Sequence, residues 1–201
     1  MTKNVAIFIF DEVEVLDFAG PFEVFAVARE IPGSDDRLHN VYTVSMDGET
    51  ISARNALSVN PSYSIETMPQ PDILLIPGGR GTRPLVHDEA VINFIREQSK
   101  KVELLLSVCT GALLLAKAGV LKDLSATTYH TEIDHLKQLD ESITTCPGER
   151  WVDNGNIITS AGVSAGIDMS LHVLEKLYGR DKADETATYM EYEHWEQTVV
   201  S

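Results

Sequence analysis

The residue best suited to chemistry in this sequence is Cys109, which lies between two apolar segments. The segment before it, residues 104–106, has the length and composition of a buried parallel strand. The segment after it, residues 112–118, predicts a helix that ends at Gly119. Cys109 is therefore expected in a turn at a helix N-terminus. Backbone N–H groups there favour the thiolate, which attacks electrophilic carbon.

The residues around this cysteine are small where a tight strand-to-helix turn requires it. Ser107 precedes Cys109 by two positions and Gly111 follows it by two. This is the spacing of a nucleophile elbow, with sulfur in place of the usual hydroxyl. A buried, inert cysteine is the alternative interpretation, since free cysteine is among the most buried residue types. The spacing favours the nucleophile.

Two further segments are expected near the same edge of a sheet. A helix is predicted over residues 21–29, starting at Pro21, and Asp17 is predicted to lie in the loop just before it. There Asp17 is either an acid of the site or a residue that stabilises a turn or caps the helix. Gly78 and Gly79 follow an apolar strand over residues 72–76. The N–H groups of such a loop, that of Gly79 above all, can bind an oxyanion or substrate, although turn formation explains the glycines equally well.

Strand-like and helix-like segments alternate along the chain, which predicts an α/β fold with a doubly wound, mostly parallel sheet flanked by helices. The predicted strands cover residues 4–10, 41–46, 72–76, 104–106 and 124–129, with edge pieces over 51–59 and a hairpin over 151–160. The predicted helices cover residues 21–29, 88–101, 112–118, 131–139 and 161–178, with a last acidic helix to about Trp195. In such sheets ligands bind beyond the carboxyl ends of the strands.

The composition limits the partners and the compartment. The 201 residues, 43% of them apolar, suit a single domain over residues 1–201. The chain has 16 basic and 31 acidic residues, which gives a net charge of −15. This charge disfavours binding of nucleic acids, and it disfavours anionic substrates unless a local site overrides the electrostatic field of the whole protein. Two cysteines make no disulfide framework. No apolar run has the length of a membrane span or a signal peptide, so we expect a cytoplasmic protein away from membranes.

Other polar residues are weaker candidates. His130 follows a predicted strand and is a possible base or substrate-binding group for Cys109, although a surface histidine is the commoner case. His135 lies five positions further on, a spacing that does not place two imidazoles on one helix face, so no metal site is expected. Cys146 is expected to be an ordinary loop residue. Asp168 is either a buried structural acid or a wall of the site.

Four segments together resemble the ThiJ/PfpI superfamily, whose fold is that of class I glutamine amidotransferases. The matching segments are residues 16–25, 76–82, 107–112 and 157–168. Within the superfamily, the isonitrile hydratases are the most similar members. The resemblance implies Cys109 as nucleophile with Asp17 and Thr110 as essential neighbours. It also implies hydration of an isonitrile to an N-substituted formamide without metal or organic cofactor, and a homodimer.

The chain departs from other members of the superfamily at informative positions. Members that resemble proteases and glyoxalases carry histidine where this chain has Thr110 and glutamate where it has Asp17. The related hydratases have Thr-Thr-His-Trp where this chain has Thr-Thr-Tyr-His over residues 127–130. A glyoxalase-like or protein-repair enzyme and a non-enzymatic redox or small-molecule sensor remain the alternatives. The same fold also precedes DNA-binding domains in some AraC-type regulators, and no such domain is found in this sequence.

Overall fold

The computed structural model describes residues 2–193, in which strands and helices alternate. The strands are β1 (Lys3–Phe8), β2 (His39–Ser45), β3 (Ile51–Ala53), β4 (Leu57–Val59), β5 (Tyr63–Ser64), β6 (Ile73–Ile76), β7 (Leu104–Val108), β8 (Ser125–Ala126), β9 (Thr144–Thr145), β10 (Trp151–Asp153) and β11 (Ile157–Ser160). The helices are α1 (Val15–Val27), α2 (Thr82–Leu85), α3 (Glu89–Gln98), α4 (Gly111–Lys117), α5 (Ile133–Leu139), α6 (Ala165–Tyr178) and α7 (Arg180–Tyr189).

Seven of the strands form one sheet in the order β10-β11-β7-β6-β1-β2-β5. All neighbours in it are parallel except β10 and β11, which form an antiparallel hairpin at one edge. Strands β6 and β7 are buried along their whole length, as their continuous Ile and Leu runs require. Helices α1, α6 and α7 pack together, and α2 to α5 form a second group. The predicted doubly wound α/β fold is confirmed.

Several predicted elements have the expected positions. The hairpin over residues 151–160 forms as β10 and β11, and Asp88 caps α3 by accepting hydrogen bonds from the N–H groups of Ala90 and Val91. Helix α6 ends at Gly179, whose φ of 91° suits a residue without a side chain. The last helix ends at Tyr189, and Trp195 lies outside the described residues.

Two predicted elements were wrong in extent. Helix α1 begins at Val15, six residues before Pro21, so Asp17 lies in its first turn instead of in a loop. Proline was interpreted as a helix start, but Gly20 and Pro21 pack against Ile167 and Gly166 of α6, and this contact favours continuing the helix. The segment over 124–129 contains only β8, which pairs with β9 in a separate two-stranded sheet.

The described residues include no helix with both the length and the apolar character needed to cross a bilayer. The single domain over residues 1–201, the homodimer and the cytoplasmic location stay predictions.

The helix after the elbow is positioned by a close backbone contact. Helix α4 begins at Gly111, and a Cβ there would overlap the carbonyl oxygen of Ile76 at the end of β6. Residues 111–116 of this helix are all buried, so it cannot move outward without exposing apolar surface. The glycine therefore lets α4 start directly against the neighbouring strand.

Replacing Gly111 with alanine is expected to lower the free energy of unfolding by about 3 kcal/mol, because the new methyl group overlaps a fixed carbonyl. The matched control is Gly148→Ala, where φ is 89° and no described atom lies within 4 Å of the added Cβ. That change should cost only about 1 kcal/mol of backbone strain. Chemical denaturation of the three proteins checks this, and equal losses for both variants would contradict it.

Candidate active site

The elbow holds Cys109 in an unusual backbone conformation. Its φ is 56°, in the left-handed region that residues with side chains rarely adopt. The Cys109 N–H donates to the carbonyl oxygens of Ser160 and Ala161 at 3.2 and 3.1 Å, and the Thr128 hydroxyl donates to its carbonyl at 2.7 Å. These bonds from two flanking segments fix the turn. Strain of this kind persists only where surrounding structure enforces it, and it is common at active sites.

Asp17 lies beside this sulfur and is fully buried. Its Oδ2 accepts the Gly78 N–H at 3.0 Å, and its Oδ1 accepts the Val163 N–H at 3.1 Å. The carboxyl also lies close enough to the Cys109 side chain to affect the pKa of the thiol. Four segments of the chain, α1 and the loops after β6, β7 and β11, therefore meet at one carboxyl group. The structure therefore brings Asp17 and Cys109 together as two coupled titratable groups.

The environment shifts both members of the pair toward their neutral forms. Burial raises the pKa of the Asp17 carboxyl to about 7, against the opposing effect of the Gly78 N–H. Burial and the adjacent Asp17 charge raise the pKa of the Cys109 thiol well above its usual range. The sequence predicted that the helix N-terminus would favour the thiolate. The Thr110 N–H does lower the thiol pKa, as expected, but desolvation and the neighbouring carboxylate raise it by more.

Thr110 connects the elbow to the glycine loop. Its Oγ1 accepts the Gly79 N–H at 2.9 Å and lies 3.1 Å from the Thr82 hydroxyl, which also reaches the Gly79 carbonyl at 2.8 Å. The Thr110 hydroxyl also lies 3.2 Å from the Gly79 carbonyl oxygen, to which it donates. The hydroxyl and the backbone N–H of Thr110 both lower the pKa of the Cys109 thiol, although burial and Asp17 raise it by more. The Gly79 N–H, predicted to bind an oxyanion, is thus directed at a hydroxyl, as the Gly78 N–H is directed at Asp17.

Glycine is required in this loop because other backbone comes so close. A Cβ on Gly78 would lie 2.5 Å from the Thr110 nitrogen and 2.8 Å from the Cys109 Cβ. At Gly79, φ is 128° and a Cβ would lie 2.5 Å from the Glu14 nitrogen. Both glycines therefore serve to bring the loop against the elbow and α1.

A cavity of about 310 Å³ opens onto the sulfur. Cys109 is only 6% exposed, yet it lines this cavity. The residue is therefore both buried and reachable from the cavity. The other lining residues are Glu14, Arg54, Gly79, Arg80, Thr82, Arg83, Thr110, Leu113, Tyr129, Thr131, Glu132 and Val163. Asp17 is absent from this lining and is fully buried, so its carboxyl is shielded from water.

The histidines predicted as secondary candidates lie away from the sulfur. His130 is exposed and does not line the cavity, and its ring instead packs at 4.3 Å from that of Tyr129. Tyr129 takes the inner position, because its ring lies against Gly162 beside the Cys109 sulfur. His135 is paired with Glu132 at 3.1 Å. Among residues 2–193 no group of three or more His, Cys, Asp or Glu side chains could hold a metal ion.

Asp168 is the buried structural acid of the two alternatives considered. Its carboxylate pairs with Arg150 and accepts the Tyr192 hydroxyl at 2.9 Å. Arg150 also donates to the Ser164 hydroxyl at 3.3 Å. Ser164 follows Val163, whose N–H binds Asp17. The cluster therefore supports the loop that completes the Asp17 site. Cys146 is partly buried in a loop and takes no part in the cavity.

Some of the site's residues carried no signal that sequence reasoning could use. Val163 has a φ of 55°, a conformation that a β-branched residue almost never adopts, and it nevertheless presents its N–H to Asp17. Arg54 comes from the segment between β3 and β4 and pairs with Glu12 at 3.0 Å and Glu14 at 3.7 Å. Only Thr82 could have been suspected, from its position in the glycine loop.

The doubly wound sheet, the cysteine elbow and the buried acid are together the features of one class of α/β proteins, which comparison with known families identifies. The family model "DJ-1/PfpI family" matches residues 3–176, and the chain belongs to this family. It is 32% identical to isonitrile hydratase of Pseudomonas putida, over 96% of this chain and 79% of that protein. It is 25% identical to the HTH-type transcriptional regulator GbdR of Pseudomonas aeruginosa, over 89% of this chain but only 48% of the regulator.

Solved structures agree with this assignment. A ThiJ/PfpI family protein from Pseudomonas syringae has a TM-score of 0.85 and 27% identity, with coverage of 96% of this chain and 76% of that one. Drosophila melanogaster DJ-1beta has a TM-score of 0.80 and 23% identity, with coverage of 95% and 98%. Because the identity to DJ-1beta is only 23%, the similarity to that structure concerns the fold alone.

The raised pKa of Asp17 makes stability depend on pH. The folded protein holds this proton up to about pH 7, whereas the unfolded chain releases it near 3.8. The contribution of this bound proton to the free energy of unfolding is therefore present at low pH and is lost as the pH rises through 7. Relative to Asp17→Asn, wild-type stability should fall by about 2 to 4 kcal/mol between pH 4.5 and 8. Denaturant unfolding of both proteins checks this, and parallel pH curves would contradict it.

The same pair predicts how Cys109 reacts with iodoacetamide. At pH 7 the partly buried Cys146 should be alkylated first, because Cys109 is held as a thiol. Asp17→Asn should accelerate labelling of Cys109 about tenfold, since loss of the negative neighbour lowers the thiol pKa. Peptide mapping by mass spectrometry follows each site, with the rate at Cys146 as internal control. Slower or unchanged labelling of Cys109 in the variant would count against the assigned coupling.

Proposed function

We propose that the protein is a cofactor-free lyase that adds water to an isonitrile and forms an N-substituted formamide. The observation that carries the proposal is that Cys109 lines a cavity while a buried Asp17 carboxyl lies near enough to shift the pKa of its thiol. The similarity to isonitrile hydratase over 96% of the chain supports the same reaction. Cys109, Asp17 and Thr110 are the residues to which we assign it.

The first step forms a bond between the Cys109 sulfur and the terminal carbon of the isonitrile. The Asp17 carboxylate takes the thiol proton as the sulfur attacks, and the same proton then passes to the carbon. The result is a thioimidate in which the former isonitrile carbon carries one hydrogen. A buried carboxyl with a pKa of about 7 suits this task, since it both accepts and returns a proton near neutral pH.

The second step adds water across the carbon–nitrogen double bond of this adduct. The water oxygen bonds to carbon and a hydrogen goes to nitrogen. The carbon–sulfur bond then breaks, and the hydroxyl proton returns to the sulfur through Asp17. The product is the formamide, and the thiol is restored. The Thr110 hydroxyl stabilises negative charge on the sulfur when it attacks and when it leaves.

The alternatives receive less support from the site. A glyoxalase-like or repair activity of the histidine-containing type lacks its histidine, because Thr110 follows the cysteine and His130 lies outside the cavity. Peroxide sensing favours a low-pKa, exposed thiolate, whereas Cys109 is 6% exposed and its thiol pKa is raised. The regulator GbdR is matched over only 48% of its length, so similarity to it is weak support for a regulatory function in this chain.

The assay uses chromatography to measure the formation of N-cyclohexylformamide from cyclohexyl isocyanide. Cys109→Ala should abolish it, and Asp17→Asn should lower kcat about 10² to 10⁴-fold. Because the carboxylate form accepts the thiol proton, wild-type kcat/KM should rise with pH and level off above about 7. Thr110→Ser should retain more activity than Thr110→Val. No formamide from the wild type, or full turnover by Cys109→Ala, would overturn the proposal.

A further inference from the structure

Two arginines at the cavity lack carboxylate partners. Arg80, in the glycine loop, and Arg83, in α2, both line the cavity that contains Cys109, and both are exposed. Across the described part of the chain, neither guanidinium forms an ion pair or a side-chain hydrogen bond. By contrast, Arg54, Arg150 and Arg180 each pair with a carboxylate. Two free guanidinium groups at one opening therefore form a distinct feature.

Arg80 and Arg83 lie on the same turn of the chain. The Arg83 N–H donates to the Arg80 carbonyl at 3.2 Å, so the two residues lie one helical turn apart. Side chains three positions apart in such a turn are neighbours on one face. Two like charges that extend from one turn repel each other, and an anion bound between them would relieve that repulsion.

The rest of the cavity wall compensates this positive charge only in part. The charged lining residues are three arginines (Arg54, Arg80 and Arg83) and two glutamates (Glu14 and Glu132). Glu14 is already 3.7 Å from Arg54. The whole chain carries a net charge of −15, with acids outnumbering bases by 31 to 16. A free anion is therefore repelled by most of the surface, and the opening is a local exception that attracts it.

We propose that the natural substrate is an isonitrile that also carries a carboxylate, and that Arg80 and Arg83 bind this carboxylate while Cys109 attacks the isonitrile carbon. The inference rests on the proposed hydratase function and narrows its substrate class. Guanidinium groups match carboxylates in charge and in planar geometry. A cavity of about 310 Å³ suits a small compound of this kind. The carboxylate takes no part in bond making, and the product is an N-formyl carboxylate.

The kinetic test compares isocyanoacetate with its methyl ester, which has the same isonitrile but no charge. Wild-type kcat/KM should favour the carboxylate by about tenfold, mainly through a lower KM, and the advantage should shrink at high salt. The Arg80→Gln/Arg83→Gln double variant should bring the ratio close to one. Arg37→Gln removes a charge from an exposed arginine outside the cavity and should keep the ratio. A ratio unchanged in the double variant overturns the inference.

A binding test separates this inference from the proposed reaction. Calorimetry on Cys109→Ala, with N-formylglycine and its methyl ester as probes, requires no turnover. Preference for the free acid that is lost with both arginines supports the carboxylate site, even if no isonitrile is hydrated and the proposed function fails. Hydration of neutral isonitriles, with no preference for either charged probe over its ester, would leave the hydratase proposal standing and overturn the carboxylate site alone.

Discussion

The structure depends on one buried carboxyl group that must be kept next to one thiol. Asp17 has no contact with solvent, so burial favours its neutral form, and the N–H groups of Gly78 and Val163 oppose this effect by binding its two oxygens. These donors belong to loops at the ends of β6 and β11, on either side of β7 and its elbow. The parallel sheet brings the loops together, and the strained φ values of Cys109 and Val163 are consequences of the same convergence.

The parts of this arrangement that are local in sequence could be predicted, and those that depend on distant contacts could not. Alternating apolar segments predicted the sheet, and small residues around Cys109 predicted the elbow. The start of α1 was misplaced because the packing of Gly20 and Pro21 against α6 overrides the usual position of proline. The protonation of the pair also escaped prediction, since the pKa of a thiol depends on burial that residue types do not reveal.

The charge at the cavity is another property that depends on distant contacts, whereas the net charge of the chain follows from composition alone. The net charge of −15 is a property of composition, and it correctly describes most of the surface. Which arginines have carboxylate partners depends on tertiary contacts, and Arg54 finds Glu12 across 42 positions of sequence. Arg80 and Arg83 have no such partner in residues 2–193. A chain can therefore be acidic overall and still attract an anion at one opening.

The cluster of Arg150, Asp168 and Tyr192 has a practical consequence for handling the protein. Tyr192 lies just before the end of the described residues, and its hydroxyl binds the buried Asp168 carboxylate. Arg150 then links that acid to Ser164, next to the backbone that holds Asp17. Proteolytic trimming that reached Tyr192 would remove a partner from an acid that hydrogen bonds connect to the loop holding Asp17.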